Sequence, residues 1–160
     1  MKQTQGDKHM IAWFKIAECV SRGEKERALG VYRLLSHSFN DNAVARQLEA
    51  DIYLSFDEHH AAVPLYQHAM ELYQKSERYL EAAAICEHLI TMVPHDLLFE
   101  REAIKLYHLL GNMHKMQAHT EKILDIILAT HQDHVLQEFL STISALSDEL
   151  YAYAAEYVKK

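Results

Sequence analysis

The chain has 160 residues, a formal net charge of -7 and 49% hydrophobic residues, with four glycines and two prolines. So apolar a chain, so poor in turn formers, is neither disordered nor collagen-like, and a turn-rich β protein is disfavoured; its length suits one domain with a sizeable core. The acidity sits in the middle: residues 41–100 hold three Lys/Arg against eleven Asp/Glu, a balance that repels a phosphate backbone and disfavours nucleic-acid binding.

Taken in order, residues 1–8 are polar and read as frayed. A first helix is predicted over 9–21, ending near Gly23, and a second over 25–37 with Ala28, Leu29, Tyr32 and Leu35 inward. Ser38–Asn42 reads as a turn, with Asp41 or Asn42 capping a third helix over 43–55. Asp57 opens the turn into a fourth helix over 58–74, where Pro64 is tolerable only in the first turns. A fifth helix over 77–92 stops before Pro94, and Asp96 is placed to cap a sixth over 97–110, closed by Gly111-Asn112. A seventh spans 114–129 and an eighth 132–146, with Val135, Leu136, Phe139, Leu140 and Ile143 on one face. Ser147 and Asp148 start a last helix carrying Leu150, Tyr151, Ala154 and Tyr157. About nine helices with short loops imply antiparallel neighbours. Residues 59–96 read as a central hairpin of two helices, with alanines allowing close approach and tyrosines filling the spaces between turns.

The pattern repeats. Shifting 9–42 by 34 residues places Ala28 on Ala62, Tyr32 on Tyr66 and Gly23 on Asp57; shifting 63–96 by 34 places Tyr73 on Tyr107 and Glu77 on Gly111. The two registers are offset by 20 residues, so the fourth helix matches both helices of the unit. The best-matched stretches are ADIYLSFDEHHAAVPLYQHAM and YLEAAAICEHLITMVPHD. Over residues 9–130 the chain resembles the tetratricopeptide repeat (TPR) family, whose unit is a 34-residue helix–turn–helix. It departs from the family at Ala12, Arg46 and Glu100, where a bulky residue is usual, and at Met116 and Thr120, where small and aromatic residues are usual. The resemblance implies an all-α, right-handed helical-repeat solenoid of about nine antiparallel helices. Three to four units would fill 9–130, and residues 131–160 would either cap the stack or begin a further repeat.

Motifs for chemistry are missing. The twelve histidines include the adjacent His59-His60 and the pairs His131/His134 and His114/His119, but no HExxH or CxxC occurs. They read as scattered surface and loop residues, and no metal is expected. There is no GxSxG, no Cys/His nucleophile signature and no Gly-rich phosphate loop, so neither catalysis nor a cofactor is expected. Cys19 and Cys86 fall on apolar faces and read as buried free thiols, which fits a reducing compartment. The run 10–20 is too short and too charged for a membrane span, and the first residues lack a signal-peptide pattern. The expected location is the cytoplasm.

What remains is binding. By the resemblance, the first helix of each repeat lines a concave groove, which falls here on Met10, Trp13, Ala17 and Val20, on Val44, Gln47, Asp51 and Leu54, and on Leu98, Arg101, Lys105, His108 and Leu109. Family members that clamp the C-terminal carboxylate of heat-shock chaperones use a lysine and asparagines where this chain has Trp13, Ala17 and Leu48, so that binding is not implied. The groove reads as apolar at its N-terminal end and basic near Arg101 and Lys105, suited to a peptide with apolar anchors and some acidic groups. Trp13, the single tryptophan, is open to three readings: core packing, a groove hot spot, or an edge where the first helix pairs with a second copy; the terminal helix is the other dimer candidate. The expected function is a non-enzymatic protein-interaction scaffold. A small acidic bacterial export chaperone and the assembly domain of a larger regulator are the alternatives.

Overall fold

The computed structural model describes residues 5–37 and 39–159, with side chains from Ile11 to Lys159 apart from Ala12 and Ser38. All secondary structure among them is helical. The nine helices are α1 (Gln5–Ser21), α2 (Lys25–Ser36), α3 (Asn42–Leu54), α4 (His59–Lys75), α5 (Tyr79–Met92), α6 (Leu97–Leu109), α7 (Met113–Ala129), α8 (Asp133–Leu146) and α9 (Asp148–Tyr157). Their ends fall within two residues of those predicted, except that α1 begins at Gln5 rather than residue 9. No described helix is long and apolar enough to cross a membrane. Pro64 lies in the second turn of α4 on an exposed face, where water can satisfy the carbonyl its ring leaves unbonded.

The connections are of two kinds. Three helices start from an extended residue whose side chain accepts from the first turn: Asp41 from Ala43 N (2.9 Å) and Val44 N (3.2 Å), Asp96 from Leu98 N (3.0 Å), and Ser147 from Leu150 N (3.2 Å). The other five connections pass through a left-handed residue: Gly23 (φ 73), Asp57 (φ 58), Glu77 (φ 58), Gly111 (φ 67) and His131 (φ 51). At the turns through Gly23, Asp57 and Gly111 the following N–H reaches back five residues, Glu24 N to Cys19 O (2.9 Å), Glu58 N to Tyr53 O (3.1 Å) and Asn112 N to Tyr107 O (2.9 Å), which satisfies carbonyls at the end of the helix. The left-handed residues succeed one another at 34, 20, 34 and 20 residues. Helix lengths follow the same rhythm: 17, 12 and 13 residues for α1–α3, then 17, 14 and 13 for α4–α6, then 17, 14 and 10 for α7–α9. The 20-residue offset between the two sequence registers is thus one step of a pattern that recurs every third helix.

The chain divides between Glu77 and Arg78 into two compact units, α1–α4 and α5–α9. The division falls inside residues 59–96, so the two helices read as a central hairpin belong to different units. In the first unit α1 packs on α2, α2 on α3 and α3 on α4. Ile16, Cys19, Ala28, Leu29, Tyr32, Leu48 and Ile52 form its core cluster, with Val20, Val31, Phe39, Tyr53 and Phe56 around it. Buried Ala50 of α3 and Ala62 and Ala69 of α4 let those two backbones come close. The hydroxyl of Tyr73 donates to Gln47 Oε1 at 2.8 Å and that of Tyr66 to Asp51, which makes α3 and α4 antiparallel.

In the second unit α5 packs on α6 and α6 on α7, while α7 takes both α8 and α9. Its core includes Ala82, Cys86, Leu89, Leu106, Ile123, Leu124, Phe139, Ile143 and Leu150. Tyr153 donates to Glu121 and Tyr157 to Asp125 (2.9 Å), each pair 32 residues apart, so α7 and α9 run in the same direction.

Candidate protein-binding cleft

The polar centre of the second unit fixes how α6 presents itself. His119 of α7 is 2% exposed and Glu100 of α6 is 6% exposed. His119 Nδ1 lies 2.5 Å from Glu100 Oε2, and Nε2 lies 3.3 Å from Glu87 Oε1 of α5. A carboxylate oxygen thus stands at each ring nitrogen. Lys115 Nζ (2.8 Å) and the Tyr107 hydroxyl (2.8 Å) also donate to Glu87, and Lys122 Nζ approaches Glu100 at 3.3 Å. The Tyr107 ring stacks on His119, centroids 5.6 Å apart. Burial alone would push the Glu87 carboxyl up. The Lys115 and Tyr107 hydrogen bonds, with the charges of His119 and Lys115, outweigh it and hold Glu87 below its ordinary value. Burial first, then the Glu87 hydrogen bond, pushes the Tyr107 phenol well above its ordinary value, so it remains a donor.

With Glu100, Ala103 and Tyr107 turned inward, α6 offers its other side to solvent at Leu98, Arg101 and Lys105. Both α6 and α8 pack against α7, and a cleft of about 250 Å³ lies between them. Its floor is Ile104, Phe139 and Ile143, all buried; Leu98, 70% exposed, and Leu146 stand at its edges. The Arg101 guanidinium sits 5.5 Å from the Phe139 ring centroid, reaching from one wall to the other. Lys105 Nζ pairs with Glu102 at 2.9 Å. Glu102 shares the rim and neutralises Lys105, so Arg101 is the cation left for a carboxylate, beside an apolar floor that can hold apolar side chains.

The other groove candidates are placed differently. Met10 lies outside the residues whose side chains are described. Trp13 is 42% exposed and Phe14 70%, so α1 buries one side, through Ile16 and Cys19, rather than two. Ala17 is exposed beside them and Leu54 is half-buried. Gln47 and Asp51 face α4, each accepting from one of its tyrosines. His108 is exposed, one turn beyond Lys105 on α6, and does not line the cleft. Of the candidates, Leu98, Arg101 and Lys105 are the three that line this cleft.

The first unit has a larger, polar hollow of about 470 Å³ among α2, α3 and α4, lined by Tyr32, Arg46, Glu49, His37 and His68 among others. Its charges satisfy each other. Arg46 Nη1 donates to Glu49 Oε2 at 2.7 Å and Tyr32 to the same oxygen at 3.2 Å. Burial, with the Glu49 charge beside it, pushes the Tyr32 phenol up to about 12, which keeps it a donor.

Sequence reasoning expected surface and loop histidines and missed His119. The signal was present: His119 falls on the α7 stripe with Met116, Ile123 and Ile127, as Glu100 falls on that of α6 with Ala103, Ile104 and Tyr107. The α8 wall is visible in the sequence as an apolar face, within a segment that reads either as a cap or as the start of a further repeat.

Comparison with protein-family models, with curated proteins and with solved structures returned no match to this chain.

Proposed function

We propose that this protein is a non-enzymatic, TPR-like helical-repeat module that holds a protein or peptide partner, and that the cleft between α6 and α8 is its principal contact site. The observation that carries the reading is the cleft itself: an apolar floor of Ile104, Phe139 and Ile143 with Arg101 and Lys105 at its rim, and α6 tied from behind to α7 by the buried His119–Glu100 contact. The repeat architecture is supported by the 34-residue steps from Gly23 to Asp57 and from Glu77 to Gly111, and by the parallel course of α7 and α9, the relation expected of successive repeats. The proposed setting is the cytoplasm.

Affinity capture from a lysate of the source cells tests the reading. A Leu98→Asp, Thr142→Glu double variant closes the cleft with charge at two exposed positions. A protein retained by the wild type and lost by this variant, with circular dichroism unchanged, is the expected result. Equal retention by both removes the cleft from the interface.

A further inference from the structure

The walls of the α6–α8 cleft are helix and nothing else. Between the first turn of α6 at Leu98 and the last turn of α8 at Leu146, backbone N–H and C=O groups bond one another, so the middle of the walls has none to offer a ligand. The one hydroxyl at the cleft, Thr142 Oγ1, donates to Glu138 O at 3.0 Å. A strand-like segment laid here would bury its own peptide groups without partners. A helix brings its peptide hydrogen bonds with it.

The dimensions agree. Leu98 to Lys105 on one wall and Phe139 to Leu146 on the other each advance seven residues, about 10 Å of helix rise. That length accommodates two turns of a bound helix, and so two apolar anchors three or four residues apart. The charge is also directional. Arg101 has no carboxylate partner among the described residues, and its guanidinium is held over the Phe139 ring at 5.5 Å. It is already oriented for a carboxylate arriving from solvent.

We infer that the cleft seats an acidic amphipathic helix from a partner protein, with two apolar anchors on Ile104, Phe139 and Ile143 and a flanking carboxylate on Arg101. This rests on the protein-binding reading above and names the partner's chemistry.

The test is a display selection of random 16-residue peptides on the 160-residue chain, counter-selected on the Leu98→Asp, Thr142→Glu variant. The expected output is a set of sequences with apolar residues three or four apart and Asp or Glu beside them. A synthetic peptide from that set gains helical circular dichroism on binding. It weakens at least tenfold against Arg101→Glu, and recovers part of that loss when its own acidic residue is changed to Lys. Proline placed between its anchors abolishes binding. Cleft-dependent peptides that tolerate the proline, or that are enriched in basic residues, overturn the acidic helix and leave protein binding standing. Concentration-dependent self-association abolished by Leu98→Asp overturns it in favour of a second copy of the chain. Enrichment of no cleft-dependent peptide overturns it as well, and together with equal lysate capture by wild type and double variant it overturns the protein-binding reading too.

Discussion

In the unit formed by α1–α4, the polar contacts between helices run from tyrosine hydroxyls to half-buried acceptors, Tyr32 to Glu49, Tyr66 to Asp51 and Tyr73 to Gln47, and its ion pair from Lys25 to Glu58 at the start of α4 is itself only half-buried. In α5–α9 the same tyrosine–carboxylate contacts hold the outermost helix, through Tyr153 and Tyr157, but the centre is ionic, with His119 and Glu100 nearly closed off from water. The difference lies in what happens when one partner is lost. A half-buried acceptor or hydroxyl can turn to water. A buried charge cannot, and its desolvation is left uncompensated.

The largest expected effect follows from that contrast. Glu100→Ala should cost about 3–5 kcal/mol, because it leaves His119 buried against α6 without its carboxylate. Glu49→Ala, which frees Tyr32 and the partly exposed Arg46, should cost about 1 kcal/mol or less. Urea denaturation followed by circular dichroism reads both, and equal losses would erase the distinction between the units.

Next comes acid. Glu87 is held below its ordinary value in the folded chain, so its contribution is whole above pH 4.5 and is lost as pH falls through the lowered value. Glu87→Gln should therefore flatten the acid limb of the stability curve for α5–α9. Hydrogen exchange of α5–α7 amides, stepped down in pH, measures it; a variant limb as steep as that of the wild type would assign acid sensitivity to other groups.

The smallest effect compares one turn made in two ways. The left-handed residue is Gly23 after α1 and Glu77 after α4. Glu77→Gly should stabilise by about 0.5–1 kcal/mol, and Gly23→Ala should destabilise by a similar amount, since only glycine enters this region without a Cβ penalty. Thermal melts of the two variants should move in opposite directions.

Helix ends were legible in the sequence because they are set locally: Asp41, Asp96 and Ser147 cap, and Gly23 and Gly111 terminate, using groups a few residues apart. The left-handed turns at Glu77 and His131 were not legible from residue type; for Glu77 only the 34-residue step to Gly111 marked it. The division at Glu77/Arg78 carries no Pro/Gly-rich linker to announce it. For the cleft, register alone placed Arg101 and Lys105 on one side of α6. Their opposite wall lies about 40 residues away on α8, and its position depends on how both helices pack on α7, a relation that no local pattern encodes. The His119–Glu100 pair was half legible, since each residue sits on an apolar stripe, but the pairing belongs to tertiary structure.

Each unit encloses one cysteine. Cys19 lies in the core of α1–α4, and Cys86, fully buried between α5 and α6, places Sγ 3.2 Å from Phe99 O. Burial above all, then the charges of Glu102, Glu87 and Glu100, pushes the Cys86 thiol up to about 12, so at neutral pH it stays protonated and inert towards electrophiles while α5 and α6 remain together. The two sulfurs are therefore a pair of internal clocks. Alkylation of Cys19 times the opening of one half of the chain and alkylation of Cys86 times the other, and the ratio of the two rates reports whether the halves come apart in a single event or in succession.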